Sequence, residues 1–165
     1  MMVGNPVAVG LGEIKVSRDP RDILVAYGLG SCVGVAAFDP AVNCGALAHV
    51  MLPGGKENGG EGRSAKHATA AIPMMLEVLQ SMGCSRSRLI WKIAGGAQVL
   101  SVPGGCPQLQ IGERNVAAVK KALQELGLML SGEDTGGRSG RTMQLLIGQR
   151  GKVIVRSGGG FEREL

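Results

Sequence analysis

The stretch GLGSCVGVAAFDP, residues 28–40, sets one cysteine between a glycine-rich turn and an almost wholly apolar run. Its glycines allow a tight turn, and the apolar run over residues 33–38 predicts a buried strand that ends at Asp39-Pro40. A second apolar run, GALAHVMLP at residues 45–53, follows after a short turn. The two runs therefore predict an antiparallel hairpin. Cys32, at the start of the hairpin, could be packing, a metal ligand or a nucleophile.

The hairpin brings a histidine towards this cysteine. A turn over residues 39–42 sets Cys32 directly opposite His49 on one face, where Cβ atoms of opposed residues lie about 4.5–5.5 Å apart. An imidazole at that distance can take the thiol proton and pass it to a leaving amine. Backbone N–H groups in the turn at residues 28–31 could hold a developing oxyanion. The parts fit acyl transfer at an amide, and the alternative is that Cys32 is simply one more buried cysteine.

The rest of the chain predicts further strands and two helices. Strands are expected at residues 7–16 (bent at Gly10 and Gly12), 23–27, 89–94, 128–130, 142–147 and 152–156, and helices at 64–82 and 115–126, with Pro73 inside the first. Residues 102–110 read as irregular. Strands that are apolar on both faces need cover on both sides. One sheet between helices and two packed sheets with helices outside both satisfy that requirement.

Composition narrows the function. The 165 residues carry a formal charge of +5 but only 2% aromatic residues, and single-strand binders stack bases on aromatics, so nucleic acid is not the expected partner. No apolar stretch reaches the roughly 20 residues of a membrane-spanning helix, and no secretory signal precedes the first strand. We therefore expect a cytoplasmic protein that is not embedded in a membrane.

The cysteines do not form a metal-binding or disulfide pattern. Cys32, Cys44, Cys84 and Cys106 are widely spaced, with no C-x-x-C pair and no adjacent histidine cluster. We expect free thiols in a reducing compartment, with the last three structural. His67, after a polar glycine-rich loop, is expected to be a solvated surface residue.

Five motifs together resemble the CheD family of chemoreceptor glutamine deamidases. They are GLGSCVGVAAFDP, GALAHVMLP, IAGGA at residues 93–97, IGERN at 111–115 and EDTGGRSGR at 133–141. The resemblance implies an α/β (α+β) fold in which packed mixed β-sheets form a layered sandwich with helices on the outside, similar to bacterial toxin deamidases. It implies one deamidase-like domain over residues 1–165.

The resemblance also implies a reaction and partners. Cys32 would attack glutamine carboxamides of chemoreceptors (methyl-accepting chemotaxis proteins), with His49 as general base and acid, releasing ammonia and leaving glutamate. No cofactor or metal is implied, and a CheC-type phosphatase is an implied partner.

One position departs from the family pattern. A threonine six residues before the cysteine supports the histidine in the family, and here that position is Ala26. A backbone carbonyl or a water would have to take its place, because the third group of such a triad orients the imidazole. The alternative function is a regulatory module that engages CheC and receptors without efficient turnover.

Overall fold

The computed structural model describes residues 4–55, 64–98 and 110–165. Within these ranges the chain forms two helices and two five-stranded mixed sheets. The elements are β1 (Asn5–Ala8), β2 (Ile14–Ser17), β3 (Asp22–Leu29), β4 (Val33–Asp39), β5 (Cys44–Val50), α1 (Ala68–Ser81), β6 (Ile90–Gly95), α2 (Ile111–Glu125), β7 (Leu130–Thr135), β8 (Arg141–Leu146), β9 (Lys152–Ser157) and β10 (Phe161–Glu164). Sheet A has the strand order β1-β3-β8-β9-β10, and sheet B has the order β2-β5-β4-β6-β7.

The two sheets pack face to face, and both helices cover the outer face of sheet B. Ala36 and Leu47 of sheet B meet Leu24 and Met143 of sheet A in an inter-sheet core. Alternate residues of β4 and β5 point the other way, into a second core with the two helices. Every residue of β4 and β5 is therefore buried, which explains their continuous apolar sequence. The expected α+β sandwich of packed mixed sheets is confirmed.

The predicted hairpin forms, but its register differs from the expected one by two residues. His49 pairs with Gly34, not with Cys32, and the four-residue turn covers 40–43 because Asp39 stays in the strand, paired with Cys44. The Asp39 carboxylate accepts hydrogen bonds from the Ala41 N–H in the turn and from the Arg88 side chain. These bonds keep Asp39 at the end of β4. A shift of two residues preserves the face on which each side chain lies.

The N-terminal segment is not the single bent strand that its sequence predicts. β1 pairs with β3 in sheet A, whereas β2 pairs with β5 in sheet B. The glycines at positions 10 and 12 therefore lie in a segment that crosses from one sheet to the other. Two strands of opposite sheets look like one interrupted strand in the sequence, because both have short apolar alternation.

The limits of the helices and of two strands also differ from the predicted ones. α1 begins at Ala68, not Ser64, and runs through Pro73 as one helix, while α2 begins at Ile111, four residues before the predicted start. β7 extends from Leu130 to Thr135 and β10 was not predicted. The predicted irregular segment 102–110 lies outside the described residues except for its last position.

Gly151, in the turn before β9, permits the close packing of the hairpin end. Its φ is +72°, and an added Cβ would lie 2.2 Å from the Phe38 ring. Gly83, after α1, has a φ of +93° with open space around the missing Cβ.

We expect Gly151→Ala to lower the free energy of unfolding by about 3 kcal/mol, against about 1 kcal/mol for Gly83→Ala, which bears only backbone strain. Urea unfolding of both variants measures the difference, and equal losses would contradict the packing role of Gly151.

Candidate active site

Cys32 lies immediately before β4 and is half-buried against the inter-sheet core. Its carbonyl accepts a hydrogen bond of 2.9 Å from the Gly96 N–H, and the Gly30 carbonyl accepts one of 2.7 Å from the Ala97 N–H. Gly95 has a φ of +114°, and a Cβ there would lie 2.2 Å from the Cys32 carbonyl oxygen. The two glycines of the IAGGA motif thus let the end of β6 pass directly over the cysteine backbone.

His49 is buried on the same inter-sheet face, with 3% of its surface exposed. Its Nδ1 lies 3.0 Å from the Val9 carbonyl oxygen. A carbonyl oxygen can only accept, so Nδ1 carries the proton in this contact. Nε2 is buried and has no hydrogen-bond partner among the described residues. In its neutral form with the proton on Nδ1, the ring presents an unpaired lone pair at Nε2, as a general base requires.

Three hydrogen bonds join His49 to the segment that crosses between β1 and β2. The Gly12 N–H donates to the His49 carbonyl at 2.9 Å, and the His49 N–H donates to the Glu13 carbonyl at 3.1 Å. The Glu13 side chain closes the crossing by accepting a 2.7 Å hydrogen bond from the Gly10 N–H. Together with the Val9 contact, these bonds fix both the backbone and the ring of His49.

Cys32 and His49 lie on one face but are not hydrogen-bonded to each other. Because His49 pairs with Gly34, the cysteine is its diagonal neighbour, and such neighbours lie about 7–8 Å apart between Cα atoms and somewhat closer between Cβ atoms. Burial raises the pKa of the Cys32 thiol. The raised pKa disfavours the thiolate form of Cys32 in the free protein. Catalytic hydrogen bonds are often long without substrate and shorten when it binds.

Ala26 lies in β3, is fully buried in the inter-sheet core and pairs with Met143 of β8. Its methyl group can offer the imidazole no hydrogen bond. The imidazole Nδ1 contacts the Val9 carbonyl oxygen instead. Sequence could not reveal this, because any residue type has a carbonyl and only the fold decides where it points.

The turn before the cysteine is open to solvent on the sheet A side. A hollow of about 520 Å³ there is lined by Gly28, Gly30, Gly140, Arg141, Thr142, Arg156, Ser157 and Gly158. The Gly96 N–H bonds to the Cys32 carbonyl, but among the bonds of the described residues there is no return bond from the Cys32 N–H to Gly96. The Cys32 N–H is therefore not used in strand pairing. It is a group that could donate a hydrogen bond to an oxyanion.

The remaining predicted residues lie away from this cluster. Cys44 and Cys84 are buried and form no disulfide, as expected, and Cys106 lies outside the described residues. His67 is not a fully solvated residue: it is half-buried at the start of α1, with a buried Nδ1. Across residues 4–55, 64–98 and 110–165, no three His, Cys, Asp or Glu side chains are grouped to hold a metal ion. None of the helices in that part of the chain is long and apolar enough to cross a membrane.

Comparison with known proteins gives a consistent result. The family described as CheD chemotactic sensory transduction matches residues 51–157. A probable chemoreceptor glutamine deamidase CheD of Symbiobacterium thermophilum is 49% identical over 161 residues, 96% of both chains. The chemoreceptor glutamine deamidase CheD of Thermotoga maritima is 43% identical over 157 residues, 94% of both chains, and a probable one of Archaeoglobus fulgidus is 39% identical over 160 residues, 97% of this chain and 98% of the relative. The family expected from the sequence motifs is confirmed, and the chain belongs to the CheD family.

Proposed function

We propose that this protein deamidates glutamine side chains of chemoreceptors through a cysteine–histidine mechanism. The observation that carries the proposal is the buried His49 ring. Its Nδ1–H is held by the Val9 carbonyl and its Nε2 is unpaired, on the same face as Cys32. The names of the relatives supply the substrate class, chemoreceptor glutamines. The reaction is assigned to one domain that spans the chain, located in the cytoplasm, where free thiols persist.

The chemistry follows from these positions. His49 Nε2 takes the Cys32 thiol proton as Sγ bonds to the carboxamide carbon, and the oxyanion is stabilised by the Cys32 N–H. The C–N bond then breaks, and the imidazolium gives its proton to the departing nitrogen, which leaves as ammonia. Water, deprotonated by Nε2, attacks the thioester, restores the thiol and leaves a glutamate side chain. The Val9 carbonyl holds Nδ1–H throughout, so that Nε2 alone exchanges protons.

A second function fits one observation. Ala26 lacks the hydroxyl that the family pattern places there, and this favours a regulatory module that binds receptors and a CheC-type phosphatase with little turnover. The Val9 contact favours an enzyme, because the Val9 carbonyl gives the imidazole a hydrogen-bond acceptor that the Ala26 side chain cannot provide. Binding to a CheC-type phosphatase is compatible with either function, and we propose it for both.

The nucleophile is tested by Cys32→Ala. We expect ammonia release from a purified chemoreceptor cytoplasmic fragment to fall at least about a thousandfold, with Tm little changed because the side chain is only half-buried. Cys84→Ala is the matched control, since it removes a buried thiol elsewhere and should retain turnover. Unchanged ammonia release by Cys32→Ala would exclude the mechanism.

The protonation state of the resting thiol is tested by alkylation against pH. Because burial raises the pKa of Cys32, its thiolate forms at higher pH than that of an ordinary thiol near 8.5. The iodoacetamide rate should therefore rise with pH to a midpoint above that of an ordinary exposed thiol. His49→Gln should leave this midpoint in place while lowering kcat/KM for deamidation by about 10² to 10⁴. A midpoint that rises by a full unit in His49→Gln would instead indicate a resting thiolate–imidazolium pair.

The role of the Val9 carbonyl is tested at Ala26. Ala26→Thr adds a hydroxyl to the inter-sheet core, but Nδ1 of His49 already has its partner. We expect kcat/KM to stay the same or to fall severalfold, measured by ammonia release beside Ala26→Val, a similar shape without the hydroxyl. A tenfold gain specific to the threonine would favour the weakened regulatory module.

A further inference from the structure

The strands that carry Cys32 and His49 separate where the active site begins. The last pair of the β4–β5 ladder is Val33 with Val50. Beyond it, the N–H groups of Met51 and Leu52 both donate hydrogen bonds to the Lys66 carbonyl and not to the residues before β4. The carbonyls of Ser31 and Met51 are therefore left without a partner strand. Partly buried carbonyls of this kind need a hydrogen-bond donor other than a neighbouring strand.

One side chain from α2 supplies that donor to both. The Asn115 Nδ2 donates hydrogen bonds of 2.9 Å to the Ser31 carbonyl and 2.9 Å to the Met51 carbonyl. Asn115 is 0% exposed. Ser31 precedes the nucleophile directly, and Met51 is two residues beyond the base. The two N–H bonds of one amide thus bridge the segment before Cys32 and the segment after His49.

The placement of α2 makes this reach possible. Gly112, in its first turn, lies against the backbone of Gly96 and Ala97, where a Cβ would come within 2.6 Å of their carbonyl oxygens. Gly96 in turn bonds the Cys32 carbonyl. The IGERN motif therefore combines a glycine that seats the helix on the nucleophile loop with an asparagine three residues later. Aspartate at 115 would have the same shape but no amide donors.

We propose that Asn115 is a positioning residue that sets the separation of Cys32 and His49 for the deamidation proposed above. This inference rests on that proposed function. Asn115 reaches the reacting groups only through the backbone carbonyls of their neighbours. Its loss should therefore lower the rate of the chemical step, not the affinity for the receptor.

The test uses Asn115→Asp in the full chain. We expect kcat for a chemoreceptor fragment to fall about a hundredfold with KM within about twofold, because small misplacements of reacting groups have effects of that size. Alkylation of Cys32 by iodoacetamide at pH 7.5 should rise severalfold, since the released turn exposes the thiol. Asn115→Ser, which keeps one donor, should fall between this variant and the parent in both measurements.

Val119→Ala is the matched control, a buried residue one turn further along α2. It should lower Tm while leaving kcat and Cys32 alkylation unchanged at temperatures where it is folded. If a folded Asn115 variant behaves like Val119→Ala, the positioning role is wrong. If Cys32→Ala retains turnover, the proposed function itself fails, whatever the Asn115 variants do.

A measurement on the unsubstituted protein covers the case in which no Asn115 variant folds. With asparagine labelled by ¹⁵N, the Asn115 side-chain amide protons should exchange with solvent at least about a hundredfold more slowly than those of the exposed Asn5. Exchange of the Asn115 amide protons at the Asn5 rate would show that these two hydrogen bonds are not maintained, and it would overturn the positioning role.

Discussion

The site depends on the antiparallel pairing of β4 with β5. Seven residue pairs, from Val33–Val50 to Asp39–Cys44, fix which side chains of the two strands face sheet A and which face the helices. Because successive side chains alternate, this pairing alone puts Cys32 and His49 on the inter-sheet face. A register error of one residue would send one of them into the helix layer. Burial of both faces of both strands makes such an error costly, since it would exchange two fitted cores.

The histidine is held by backbone, not by the side chain that the family pattern suggests. The chain crosses from sheet A to sheet B over His49, and the crossing supplies the Val9 carbonyl to its ring. This arrangement relieves position 26 of any polar task, so a methyl group can pack there in the inter-sheet core. A backbone carbonyl does not ionise and cannot rotate freely, so it favours the imidazole tautomer that carries its proton on Nδ1.

Close backbone contacts surround the cysteine and explain the glycines near it. Gly95, Gly96 and Gly112 each stand where a Cβ would meet another backbone or side chain within 2.5 Å. These contacts stack the end of β6 and the start of α2 on the nucleophile turn. Asn115 completes the stack by satisfying two carbonyls at the point where the strands part. The thiol is partly buried as a result, and this burial raises the pKa of Cys32.

From the sequence alone, the hairpin, the two helical regions and the family could be predicted, as could the common face of Cys32 and His49, because local apolar runs and glycine turns carry that information. The sequence did not determine that residues 5–8 and 14–17 belong to different sheets, since both segments alternate alike. It also misplaced the hairpin by two residues, because the hydrogen bonds of Asp39 that hold the strand end come from Ser85 and Arg88, far along the chain. Only the tertiary structure decided that the Val9 carbonyl orients His49 and that Asn115 joins the two strand ends. Backbone groups carry no residue identity, so their partners become known only when the chain has folded.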